Sequence, residues 1–116
     1  TDDKSIYLQI SQMIETDILR GILLEEERVP STNELAKLYT INPATAAKGV
    51  NILVDEGILY KKRGIGMFVA TGAVEKIRSR RKDAFYRLRL AELLAEARSL
   101  GISKEELIEQ IKKEEL

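Results

Sequence analysis

The apolar positions of this chain change period twice, from helical to β-like and back to helical. Ile6, Ile10, Met13, Ile14 and Ile18 recur at three- and four-residue spacing, which predicts an amphipathic helix over residues 5–20, ended by Gly21. Residues 22–29 read as a connection. Ser31-Thr32-Asn33-Glu34 has the spacing of a capping box: the Ser31 hydroxyl accepts from the Glu34 amide while the Glu34 carboxylate reaches back to the Ser31 amide. A short helix follows, with Leu35, Leu38 and Tyr39 as its expected buried face. Asn42 is a strong N-cap and Pro43 fits the first helical position, where its missing amide costs nothing. Ala46, Val50, Leu53 and Val54 then form a core-facing stripe that Gly57 closes.

Residues 58–70 switch to two short β-prone runs around a turn with two glycines, a hairpin signal. A second helical pattern extends from Thr71 to about Leu100, on the order of 40 Å of helix. On a helical wheel Val74, Ile77, Ala84, Phe85, Leu88, Ala91 and Ala95 share one face. Beyond residue 86 a second face carries Tyr86, Leu90, Leu93, Ala97 and Leu100. Gly101 ends this helix, and a second capping box at Ser103–Glu106 opens a final helix with Leu107, Ile108 and Ile111 expected inward. That short helix can cover only one side of its long neighbour. The remaining apolar face, with Val74, Ile77, Ala84, Phe85, Leu88, Ala91, Leu93 and Ala95, is expected to form a two-fold dimer interface.

Three short helices followed by a two-stranded hairpin describe a mainly α protein with an N-terminal winged helix-turn-helix. The expected organisation is a winged domain over residues 1–70 and a two-helix dimerisation region over residues 71–116. Charge sharpens this picture. The chain is neutral overall, yet residues 61–89 hold 10 basic and 2 acidic side chains, against 5 and 10 in residues 1–60 and 4 and 7 in residues 90–116. A concentrated basic block is the footprint of a polyanion partner, or else a solvated helix face.

Cys and His are both absent. That removes disulfides, thiolate and imidazole catalysis and the common zinc sites, and no converging carboxylate pair stands out, so no enzyme, metal or cofactor is expected. No apolar run reaches membrane-spanning length and no apolar leader opens the sequence, so a cytoplasmic protein is expected.

The chemistry sits in two stretches. Residues 41–49, INPATAAKG, are small, polar and nearly bare. In a helix-turn-helix the second helix enters the major groove by its N-terminal end, where bulk would hold it off the base edges. Asn42, Thr45 and Lys48 can donate to phosphates or bases, and Ala44 permits close approach. In the wing, Lys62, Arg63, Gly64 and Gly66 combine cations with a backbone that can approach DNA. Arg28, Ser31 and Thr32 stand at or near the N-terminus of the preceding helix, which favours phosphate. The competing reading is a winged-helix module for protein–protein contact, since the fold alone does not fix function.

Taken in order, Tyr7-Leu8-Gln9-Ile10, Arg28-Val29-Pro30-Ser31, Glu34-Leu35-Ala36, Thr45, Leu53, Glu56-Gly57-Ile58 and Gly64-Ile65-Gly66-Met67-Phe68-Val69 resemble the DNA-binding domain of GntR-type bacterial transcription regulators. The short two-helix tail is similar to that of the YtrA-like subfamily. The resemblance implies a homodimeric regulator, usually a repressor, on an inverted-repeat operator of double-stranded DNA. It carries over Arg28, Ser31, Thr45, Gly64 and Gly66. Three arginines common in the family are replaced here, by Asn42-Pro43, Ala47 and Ile65, which shifts the expected burden to Lys48, Arg63 and backbone amides. The tail has no room for a metabolite-binding domain, and Phe85 and Tyr86 leave space only for a small effector, of unidentified chemistry, at the dimer seam.

Overall fold

The computed structural model describes residues 3–116, with side chains from Ile6 onward. Residues 1 and 2 of the expected winged domain lie outside the described residues. The elements run α1 (Asp3–Leu19), α2 (Thr32–Tyr39), α3 (Pro43–Asp55), β1 (Leu59–Lys62), β2 (Gly66–Val69), α4 (Ala73–Ala84), a π-helical segment (Phe85–Leu90), α5 (Ala91–Ser99) and α6 (Lys104–Lys113). This is the mainly helical architecture with a β-hairpin wing expected from the periodicities.

The chain divides into two compact units, Thr1–Ser79 and Arg80–Leu116. The division falls nine residues beyond the expected boundary at 70, because α4 begins inside the winged unit. Ala73 and Ile77 are fully enclosed there, in the same apolar cluster as Ile10, Ile14, Ile18, Leu53, Ile58 and Val69. Ile77 therefore belongs to the chain's own core, and with no exposed surface it has none to offer a partner; half-buried Val74 packs against the same cluster.

α3 packs against both α1 and α2, which fixes the helix-turn-helix on a shared core. The capping box of α2 forms as the spacing predicts: Glu34 N–H donates to Ser31 Oγ at 3.0 Å and Ser31 N–H to Glu34 Oε1 at 2.9 Å. Thr40 ends α2 in the left-handed region, φ 53°. The buried face of α2 is Leu35 and Ala36; Leu38 and Tyr39, expected inward, are 68% and 42% exposed.

The wing pairs antiparallel, with Leu59 opposite Val69, Tyr60 opposite Phe68 and Lys62 opposite Gly66. The connection before α2 is more ordered than its sequence suggests. Glu26 N–H donates to the Val69 carbonyl (2.7 Å), Val69 N–H to that of Glu27 (2.9 Å) and Val29 N–H to that of Met67 (2.9 Å). Residues 26–29 thus lie along β2, with Arg28 bridging Phe68.

In the second unit, Ala97 is buried and the turn after α5 closes through Ile102 N–H to the Ala97 carbonyl, 2.8 Å. Glu106 N–H donates to Ser103 Oγ (3.1 Å), the hydroxyl half of the capping box expected at α6. Leu107 of α6 is half-buried, whereas Ile108 and Ile111, also expected inward, are exposed. The widened turns at Phe85–Leu90 were not legible in the sequence; all six side chains of that segment are exposed. Among the described residues no helix is long and apolar enough to cross a membrane.

Candidate nucleic-acid interface

The N-terminus of α3 leaves side-chain donors facing outward. Asn42 Oδ1 accepts from the Ala44 amide at 2.7 Å, which uses the amide oxygen as the cap and leaves the Nδ2 donors free to turn outward. At α2 the Ser31 hydroxyl oxygen likewise accepts from Glu34 N–H, while the Ser31 amide and hydroxyl hold the Glu34 carboxyl below its ordinary value. Two exposed or half-buried helix starts therefore combine partial positive charge with side-chain donors, which suits an acceptor-only phosphate. Asn42, Ala44 and Lys48 are exposed and Thr32 is half-buried. Thr45 is a correction to the expected contact set: at 5% exposure it is withdrawn into the domain beside Ala46.

Lys48 is held from below by Tyr7, its ammonium 5.5 Å from the ring centroid. No local signal announces that pairing, because Tyr7 lies on α1.

At the wing, Ile65 N–H donates to the Lys62 carbonyl at 2.9 Å and closes a turn whose central residues are Arg63 and Gly64. Gly64 has φ 77°, a conformation costly for any side chain but glycine's. Gly66 has φ 146°, and a Cβ there would stand 2.7 Å from Arg28 Nε. The Arg28 side chain thus lies directly on the wing backbone, which brings the residue before α2 and the hairpin tip into one basic surface. Lys62 stands 4.6 Å over the Phe68 ring, and Phe68 stacks on Tyr60 with centroids 5.9 Å apart. Exposed Arg63 is the outermost cation of the turn.

Behind the wing a carboxylate pair ties the hairpin to α4. Glu25 accepts from the amides of Gly72 and Val74, both at 3.0 Å. Glu26 accepts from the Thr71 amide (3.1 Å), the Thr71 hydroxyl (2.6 Å) and the Tyr60 hydroxyl. Glu26 adopts φ 68°, a strained conformation for a non-glycine residue, maintained where three accepted hydrogen bonds offset it. The residue ahead of α4 is Gly72, which has no side chain to cap the helix. That missing local cap was the one hint that an acceptor had to arrive from elsewhere in the chain.

These bonds hold both carboxyls below the ordinary value of 4.5: the Gly72 and Val74 amides act on Glu25, the Thr71 and Tyr60 hydroxyls on Glu26. A carboxyl whose pKa falls on folding adds stability that is present above its unfolded pKa and is lost as the pH drops through the folded one. Glu25→Gln with Glu26→Gln should therefore lower the urea midpoint at pH 7 and flatten the stability–pH curve below about 4.5. Equal slopes for the two proteins in that acid window would show that the clasp is not coupled to folding.

Comparison with known proteins agrees with this geometry. Residues 6–69 match the family model described as bacterial regulatory proteins, gntR family. The HTH-type transcriptional repressor YtrA of Bacillus subtilis is 33% identical over 107 residues, covering 92% of this chain and 82% of that one. A crystal structure of a GntR-family transcriptional regulator from Bacteroides thetaiotaomicron is 38% identical with a TM-score of 0.79, covering 93% and 94% of the two chains. The DNA-binding domain of AraR, solved in complex with operator ORX1, is 34% identical with a TM-score of 0.53 over 55% of this chain and 77% of that one. With residues 6–69 matched by the family model and 92% of its length aligned with YtrA, the chain belongs to the gntR family of bacterial regulatory proteins, which are DNA-binding transcription regulators.

Proposed function

We propose that this regulator acts in the cytoplasm as a homodimer that represses transcription from an inverted-repeat operator. The observation that carries the reading is the exposed, donor-bearing start of α3 beside a wing whose cations lie on aromatic rings and glycine backbone. α3 enters the major groove through Asn42, Ala44 and Lys48, while Arg63 of the wing tip reaches for the minor groove. Arg28, Ser31 and Thr32 clamp the phosphates alongside, with Lys62 and the Gly64 and Gly66 backbone contributing from the hairpin. The related AraR domain, solved in complex with an operator, supports DNA binding by this winged unit.

The second unit supplies the dimer. Ala84 is half-buried and Phe85, Leu88, Ala91, Leu93 and Ala95 are exposed in the single chain, with Phe85 at 58% and Leu88 at 50%. So much large apolar surface is unusual on a chain that stays monomeric. Binding an inverted repeat as a dimer calls for two recognition helices about 34 Å apart, one turn of duplex.

Selection from random duplexes, at two salt concentrations and alongside a solution mass, tests the reading directly. The expected result is a dimer mass and an enriched inverted repeat. Six to ten phosphate contacts give a log–log salt slope of roughly −5 to −9. A monomer, a single half-site, or binding indifferent to both sequence and salt would overturn it.

A further inference from the structure

The winged unit contains an apolar cavity of about 250 Å³ that the DNA-binding surface does not use. Its floor is the edge of the core, Ile10, Ile14 and Leu35, all buried. Its rim is Met13, Leu38 and Tyr39, which a soluble protein has no packing reason to leave open together. One charged side chain lines it. Asp17, on α1, is half-buried at the edge of this apolar wall and makes no ion pair or side-chain hydrogen bond among the described residues. Arg20, one turn further along α1, does not pair with it. A half-buried carboxylate without an ion pair beside an apolar wall has a cation as its natural complement.

We propose that this cavity binds a small lipophilic cation, an arylalkyl or alkyl ammonium of about a dozen heavy atoms. The ammonium sits between the Asp17 carboxylate and the face of the Tyr39 ring, and the apolar tail lies on Ile10, Ile14 and Leu35. The volume, below that of a drug-sized pocket, matches a ligand of this size. The class follows from the lining: a neutral ligand would leave the carboxylate unpaired, and an anion would be repelled by it. The site also touches the element that positions the recognition helix, because α2 contacts α3 and leads into it through Thr40.

The probe is 4-phenylbutylammonium, with 4-phenylbutan-1-ol as its neutral counterpart, titrated into the full chain while the Met13 methyl and Tyr39 ring resonances are followed. Saturable shifts confined to the cavity lining are expected, with the amine binding roughly tenfold more tightly than the alcohol. Asp17→Asn keeps the shape and removes the charge, so it should bring the two ligands to equal affinity. Leu38→Gln, at an exposed position, should weaken both ligands while leaving the solution mass unchanged. Equal affinities in the unsubstituted protein, an Asp17→Asn variant that still prefers the amine, or no saturation would overturn the site. A drop in solution mass for Leu38→Gln would do so as well, by assigning the groove to a second copy of the chain. A failure of operator selection leaves these readouts intact, since none of them uses DNA.

Discussion

Lys48→Ala combined with Arg63→Ala should reduce affinity for the selected operator at least roughly a hundredfold while leaving the unfolding free energy from urea titration within about 0.5 kcal/mol of the unsubstituted protein. Both side chains are exposed, so neither removal opens a cavity. Three positions where the family commonly places arginine hold Asn42-Pro43, Ala47 and Ile65. Few cations remain at the tip of α3 and the wing, and each carries a larger share of the interface. A residue that touches bases costs about 1–3 kcal/mol when truncated and relaxes specificity at one position; one that touches only phosphate weakens all sequences alike.

The salt dependence separates the two roles. Each lost phosphate contact should make the log–log slope shallower by about 1, and a dimer loses it twice. If Lys48 reads a base and Arg63 neutralises a phosphate, Lys48→Ala changes the selected sequence with little change in slope, and Arg63→Ala does the reverse. Wild-type affinity in the double variant would remove both residues from the interface. Tyr7→Leu provides a milder control: it removes the ring beneath Lys48 without touching the charge, and should weaken binding by less than Lys48→Ala does.

What could be read from the sequence was what local chemistry decides. The caps at Ser31, Asn42 and Ser103 work through residues two or three positions away, and all three form with the expected partners. The hairpin is equally local, its turn set by Gly64. Features that depend on a distant partner were not legible. Glu25 and Glu26 reach across more than 40 residues to Thr71, Gly72 and Val74, and no spacing rule links such positions. Arg28 looked like loop because its strand pairing depends on β2. Periodicity also cannot say which part of an apolar stripe meets the core. It put Leu38 and Tyr39 on a buried face and Ile77 on an outer one, and the packing reverses all three. For the recognition surface, exposure at Asn42 and Lys48 followed from composition, whereas Thr45 turns inward because it shares the core side of α3 with Ala46 and Gly49.

Gly49→Ala should destabilise the winged unit by about 1–2 kcal/mol, against the sign that helix propensity predicts, and Gly49→Leu should prevent it from folding. Gly49 is in the middle of α3 with ordinary helical backbone, so glycine is not required there for its φ. On propensity alone alanine would add about 1 kcal/mol. The space decides otherwise. A Cβ at this position would stand 2.7 Å from the Tyr7 carbonyl oxygen and 3.1 Å from Cβ and Cγ2 of Ile10. The first of these is α1 backbone, which can retreat only if α1 moves as a body off α3. That movement would lift Ile10 and Ile14 out of the core and draw the Tyr7 ring away from Lys48. Gly49→Ala should therefore lose operator affinity as well as stability, although residue 49 is buried and touches no DNA. Urea unfolding and operator binding on one preparation check both effects. A raised midpoint with unchanged affinity would mean that α1 and α3 are not held at this distance, and that Lys48 does not depend on the ring beneath it.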